Sequence, residues 1–223
     1  MVAELDPQLR VRFSTSHPKD ITDEVLHTIA KYENICNYIH LPVQAGSSVV
    51  LKRMNRTYDR EWYIDRVKAI RRIIPTCAIS TDIIAGFCGE TEEQHQETLS
   101  LMAWVKYEMA YMFFYSERPG TLAARRYEDD IPLETKKTRL QEIIALQNIH
   151  SLERNKVDVG KVYKVLIEKQ SKRSDQDLCG RNDQNKMINF PKESYKPGEY
   201  VDVLVESCTM ASLRGKVIGY SAL

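Results

Sequence analysis

The chain has no CxxC pair and no long apolar run. It also has no sizeable charge excess, no internal repeat and no low-complexity segment. Each absence excludes something. The five cysteines, Cys36, Cys77, Cys88, Cys179 and Cys208, are odd in number and widely spaced, so neither a zinc ribbon nor a cluster motif can be read from them. They read as small buried hydrophobes in a reduced, cytoplasmic protein. Without a signal peptide or a membrane-length apolar stretch, no membrane partner is expected. A net charge of +1 is silent on partners, but its distribution is not. From Arg154 onward there are 13 basic and 9 acidic residues, net +4, and the preceding residues carry net −3. A weakly acidic body with a basic tail fits either a polyanionic partner or a solvated basic face.

What is present is a core's worth of apolar residues, 43% of 223, arranged in two patterns. Ala78 to Thr91 is the stretch around which the first pattern is organised. A β-branched run holding Asp82 leads into two glycines around Cys88, then into the polar helix start Glu90-Thr91. That is a buried parallel strand, a tight turn and a helix. It is either an ordinary connection or one where a ligand approaches the backbone. Strands are also expected over Arg10–Ser14, Asn37–Val43 and Tyr111–Tyr115, and a short helix-like stretch over Met1–Leu9. The strands alternate with helices over Ile21–Tyr32, Val49–Met54, Trp62–Ile74 and Glu92–Tyr107. Four polar loops then follow four strands on one face of a βα barrel, where active sites lie. His40, inside an apolar strand, reads as a packed core histidine, whereas His17 at a loop is open to both readings.

Pro132–Lys156 reads as a long connector helix. Leu140, Ile143, Ile144, Gln147 and Leu152 make its packed face, with Lys136, Lys137, Arg139 and Arg154 outside. Beyond it the period changes to two. Strands starting at Val162, Asp177, Lys186, Tyr200 and Leu213 make a small antiparallel barrel of the oligonucleotide-binding kind. Lys164, Lys169, Lys172, Arg173, Arg181, Lys186, Arg214 and Lys216 offer phosphate contacts there, with Phe190 as a stacking surface.

Several runs together resemble the MiaB-type tRNA methylthiotransferases, over nearly the whole chain. They are Arg12-Phe-Ser-Thr-Ser-His-Pro-Lys-Asp20, His40-Leu-Pro-Val-Gln-Ala-Gly-Ser47, Leu51-Lys-Arg-Met-Asn-Arg56, Thr81-Asp-Ile-Ile-Ala-Gly-Phe-Cys-Gly-Glu-Thr91 and Tyr115-Ser-Glu-Arg-Pro-Gly-Thr121. The likeness continues through Leu152-Glu-Arg-Asn155, Val201-Asp-Val203 and Ser212-Leu-Arg-Gly215. The resemblance implies an α/β fold: a partial (βα) radical S-adenosylmethionine barrel, strands three to six, followed by a small all-β TRAM barrel. The corresponding divisions are 1–131 for the barrel part, 132–156 for the connector and 157–223 for the TRAM domain. It implies C2 methylthiolation of N6-isopentenyladenosine next to the tRNA anticodon. The family uses S-adenosylmethionine and two 4Fe–4S clusters, with an external electron donor and sulfur source.

Two departures qualify that implication. The CxxxCxxC loop and the three auxiliary-cluster cysteines of the family are absent, so the chain is expected to be a C-terminal fragment that binds no cluster and does not turn over alone. Cys88 stands where the family usually has Pro, which loosens the turn. Carried over residue by residue, the resemblance puts Gln44, Ser47, Arg56, Asp82, Gly86, Gly89, Glu90 and Tyr115 at the cofactor. Arg56 would pair with its carboxylate. Thr15, Ser16, His17 and Arg118 would line the target pocket, and Lys164, Lys172, Arg173, Arg181, Lys186 and Arg214 would meet RNA. No catalytic residue and no metal ligand is assigned. Two other functions are kept open: a non-catalytic RNA-binding protein with a truncated βα support domain, and a cluster-free lyase using Asp82 or His17 as base. An unpaired sheet edge before Arg10–Ser14 is expected to cause self-association.

Overall fold

A computed structural model describes residues 2–14, 17–172 and 174–221. Helix α1 (Asp23–Lys31) starts where the Thr22 hydroxyl accepts from Val25 N at 3.3 Å, and it leads to strand β1 (Tyr38–His40). Helices α2 (Ser48–Arg53) and α3 (Arg60–Ile73) precede β2 (Ala78–Ala85). Helix α4 (Glu92–Val105) opens with a capping box between Thr91 and Gln94, and β3 (Met109–Phe114) follows it. The three strands are parallel in the order β1-β2-β3, with Ile39 beside Ile79 and Asp82 beside Tyr111. Side chains alternate across the sheet. Ile39, Ile79, Thr81, Ile83 and Ala110 form the buried face, while Tyr38, His40, Ser80, Asp82, Ile84, Tyr111 and Phe113 share the other.

A short helix α5 (Leu122–Arg126) and the long α6 (Leu133–Lys156) then lead to five strands: β4 (Val162–Gln170), β5 (Asp177–Arg181), β6 (Met187–Pro191), β7 (Tyr200–Cys208) and β8 (Leu213–Tyr220). They close into a barrel in the order β4-β5-β6-β8-β7 around Val165, Ile167, Ile188, Phe190, Val203 and Leu213.

Four expectations change. Arg10–Ser14 is not a strand. Only Val11 bridges in parallel to Ile35, because Arg10 and Arg12 on either side are drawn to the small barrel. Val2–Glu4 is a single 3-10 turn rather than a longer helix. Phe190 is fully buried in the small barrel and offers no stacking surface. The connector helix also turns its faces differently: Lys136 and Arg139 are buried and Ile144 is exposed. The reason is that α6 lies across strand-end turns whose carbonyls and carboxylates require donors, a demand that apolar side chains cannot meet.

Polar contacts fix the small barrel against the sheet. Its β5–β6 turn docks at the N-terminal ends of the parallel strands. Asn37 donates to Asp183 at 3.1 Å and Gln184 donates to the Thr76 carbonyl at 2.7 Å. Arg12 donates to the Asn182 carbonyl at 2.8 Å and to the Asn185 side chain. Helix α6 spans the whole distance. Lys136 reaches the C-terminal strand ends, and Arg154 pairs with Glu108 just ahead of β3.

Candidate cofactor and nucleic-acid site

At the end of β2, Gly86 and Gly89 hold φ of +68° and +67°, a region that favours glycine. Their surroundings are closed by the chain itself. A Cβ on Gly86 would lie 2.5 Å from Lys136 Cγ, and one on Gly89 would lie 3.0 Å from Arg53 Nη1. Gly86 N–H donates to Glu90 Oε2 at 2.8 Å and Gly89 N–H to Asp130 at 2.7 Å. The Gly89 carbonyl accepts from Arg53 at 2.6 Å. Glu90 is 3% exposed and faces Arg139 at 3.1 Å. Gly86, Gly89 and Glu90 thus build a rigid turn.

Alongside it, Gln44 sits at φ +73°. It is kept there by its N–H to the Asp82 carbonyl and by Ile84 N–H to its own carbonyl, both at 2.9 Å. Ser47 heads α2 fully buried, with no partner for its hydroxyl among the described residues. Arg56 and Tyr115 border a cavity of about 160 Å³ together with Ile84 and Phe87. The Arg56 Nε is buried and unpartnered among the described residues, so a donor is available where a carboxylate would be held. Burial, with the Cys88 thiol alongside, pushes the Tyr115 phenol up to about 12. Lys136 Nζ lies 5.2 Å from that ring's centre.

Asp82 projects from the open face of the sheet, and the side chain beside it is one that sequence reading placed in the core. His40 Nε2 is 3.4 Å from Asp82, and its Nδ1 is 2.8 Å from the Ser80 hydroxyl, which Tyr38 meets at 2.6 Å. The ring is edge-on to Tyr111. Only the β1–β2 register brings these four polar groups together, so no local signal could have found them. His17 caps the Pro18–Asp20 turn, accepting from Lys19 N at 3.3 Å, and stands edge-on to Tyr58. Thr15 and Ser16 lie outside the described residues. Arg118, exposed, borders a second and larger cavity of about 600 Å³.

On the small barrel the basic residues divide. Lys186 is half-buried, with its ammonium 2.5 Å from the buried Asp158, and serves the interior. Arg181 pairs with Glu168 at 2.6 Å and Arg214 with Asp177 at 2.8 Å. Lys164 is exposed over the Tyr200 ring at 5.0 Å. Lys172 is exposed and, with Lys169, Arg214 and Asn189, lines a groove of about 510 Å³. Arg173 lies outside the described residues. Among those residues no three metal-ligating side chains converge, and the cysteines sit on separate elements, so the chain's thiols do not fit a 4Fe–4S cluster. No described helix is long and apolar enough to cross a membrane.

Comparison with known proteins follows the same division. Residues 1–102 match the Radical SAM superfamily and residues 156–218 the TRAM domain. The tRNA-2-methylthio-N(6)-dimethylallyladenosine synthase of Amoebophilus asiaticus is 63% identical over 218 residues, 97% of this chain and 45% of the relative. The chain belongs to the MiaB-type family. The synthase of the same name from Christiangramia forsetii is 54% identical over 99% of this chain and 46% of its own length. The chain therefore spans about half the length of the curated relatives that it matches. Among solved structures, the coproporphyrinogen III oxidase of Escherichia coli, a radical SAM enzyme, aligns with a TM-score of 0.52. It is 18% identical, covers 84% of this chain and 45% of that one, and is a likeness of fold alone. The two matched regions fall on the two units of the fold: the first runs from α1 into α4, with β1 and β2, and the second covers the closed barrel.

Proposed function

We propose that this chain forms the cofactor-facing strands and the RNA-binding end of an enzyme that methylthiolates C2 of N6-isopentenyladenosine in tRNA. The observation that carries this reading is high identity to two synthases over 97% and 99% of the chain, coupled with the unpartnered Arg56 Nε at the strand ends. Arg56 would hold the carboxylate of S-adenosylmethionine, with Tyr115 and Ile84 against the rest of the molecule. A cofactor molecule held there would supply the hydrogen-abstracting radical on reductive cleavage, and a second molecule the methyl group. Gly86, Gly89 and Glu90 keep the turn in shape, and Asp82 with His40 presents a polar surface toward the target. Gln44 fixes the backbone beside Asp82, and Ser47 starts the helix that leads to Arg56. The external electron donor and sulfur source belong to the full reaction. The chain on its own is expected not to turn over, since its thiols do not converge.

Calorimetry with S-adenosylmethionine, together with tRNA binding at two salt concentrations, tests the proposal. Cofactor binding and a log–log salt slope of several units are expected. A flat salt response would remove the RNA role. Salt-dependent tRNA binding without any cofactor binding would instead favour a non-catalytic RNA-binding protein. Self-association through a free sheet edge is also proposed on the side of Arg10–Ser14: with that stretch not a strand, the edge is the outer one of β1, which pairs with no described strand. Concentration-dependent scattering is expected, and a monodisperse monomer would count against it.

A further inference from the structure

The two ends of α6 are pinned to the two candidate sites. Near its start, Lys136 Nζ donates to the carbonyl of Tyr115, which borders the Arg56 cavity, and Arg139 holds Glu90 in the turn beside it. Near its end, Asn155 donates to the Thr209 carbonyl at 2.9 Å, and Thr209 lies on the rim of the groove of about 510 Å³ on the small barrel. Between them Gln147 and Ser151 bond to the Tyr107 and Glu108 carbonyls. Lys186 then ties the barrel to the Arg154 carbonyl and to Asp158. The helix is continuous from Leu133 to Lys156 and is held along its length, so it keeps the two sites a fixed distance apart. From Lys136 to Asn155 that distance is about 28 Å, at 1.5 Å per residue.

The chemistry of the groove narrows what meets it. It opens where β6 and β8 pair in parallel at Ile188 with Leu213 and at Asn189 with Arg214, and nowhere else among the described residues. Lys169 and Lys172 are exposed along it and pair with no carboxylate among the described residues, while Arg214 is held by Asp177. Ser207, Thr209, Ser212 and Asn189 add hydroxyls and an amide, and among the described residues no aromatic ring lines it. Unpaired nucleotides are held by stacking on aromatic side chains, whereas a duplex presents phosphates and 2′-hydroxyls, and the groove suits the duplex. We infer that α6 is a fixed spacer, so that the chain selects RNA in which a paired stem runs about 28 Å or more from the target base to phosphates seated at Lys169 and Lys172. At 3.4 Å of axis per base pair that length is about eight base pairs. This rests on the tRNA reading above and adds to it a length requirement: a shorter stem can occupy the strand-end site or the groove, not both.

The test measures binding of the chain to a loop bearing N6-isopentenyladenosine on paired stems of increasing length, and on a short stem with unpaired extensions of the same reach. It is run at two salt concentrations for the unaltered protein, Lys169→Ala/Lys172→Ala and Lys169→Arg/Lys172→Arg. Affinity is expected to rise about tenfold once the paired stem passes eight base pairs, with the log–log salt slope steeper by about two, one for each lysine. Unpaired extensions, and the double alanine variant on any stem, should give a rise of under about threefold and no added slope. The double arginine variant, which keeps both charges, should retain the rise. Circular dichroism and the thermal midpoint establish that each variant is folded. Equal affinity and slope for short and long stems overturn the spacer and leave the tRNA reading standing. An equal rise with unpaired extensions, or a rise that survives in the folded alanine variant, does the same. Absence of salt-sensitive binding to all of these RNAs overturns both.

Discussion

On the proposed reading cofactor recognition turns on Arg56, because among the described residues its Nε is buried without a partner while neighbouring arginines are occupied. Arg53 donates to the Gly89 carbonyl and Arg60 to the Gly46 carbonyl. A charged hydrogen bond of this kind contributes about 1.5–3 kcal/mol. Arg56→Gln is therefore expected to weaken S-adenosylmethionine binding by roughly ten- to a hundredfold with the thermal midpoint unchanged, as calorimetry and a melting curve would read. Unaltered affinity would move the cofactor elsewhere. The resemblance puts Arg56 and Tyr115 together at the cofactor, and the structure has both lining one cavity. Residue types alone could not mark His40, which looks apolar in its own strand and acquires Asp82 and Ser80 only through pairing. Nor could they separate Lys186 from Lys172: both are lysines in a basic barrel, yet Asp158 draws one inside.

At the level of the element, α6 is more than a connector. Over one face it supplies Lys136 to the Tyr115 carbonyl, Arg139 to Glu90, Gln147 to the Tyr107 carbonyl, Ser151 to the Glu108 carbonyl and Asn155 to the Thr209 carbonyl. Each is a buried donor matched to a strand-end acceptor, which is why apolar periodicity misassigned this helix. The Arg139–Glu90 pair is the most demanding of them, because burial pushes the Glu90 carboxyl above its ordinary range despite the nearby guanidinium. Arg139→Met should cost about 3–5 kcal/mol by leaving that carboxylate unpaired. The double variant Arg139→Met/Glu90→Gln should recover much of the loss, since the charge that needed a partner is gone. Urea denaturation measures both. Equal stability of Arg139→Met and the unaltered chain would show that the pair contributes nothing.

Across the whole molecule, the two units are joined by polar contacts at the foot of the parallel strands, opposite the end where Arg56 and Tyr115 lie. Arg10 donates to the Arg181 and Lys164 carbonyls, and Arg12 to the 182–185 turn. With these intact, one unfolding transition is expected by scanning calorimetry. Arg10→Ala/Arg12→Ala should separate it into two, the parallel-sheet unit and the closed barrel, each with its own core. A single transition at an unchanged temperature would mean that α6 and the Asn37–Asp183 and Gln184–Thr76 contacts couple them without the two arginines.

The sequence by itself determined the alternation of strand and helix, the switch to a closed five-stranded barrel and the stretch that carries the turn glycines. These follow from local periodicity and from backbone preferences that each residue brings with it. The tertiary structure alone decided which charges are internal, how α6 is rotated, that Arg10–Ser14 yields its strand to docking, and that His40 meets Asp82. Each of these depends on which groups lie across from a residue in space, and burial makes an unmatched donor or acceptor costly enough to override the pattern in the chain.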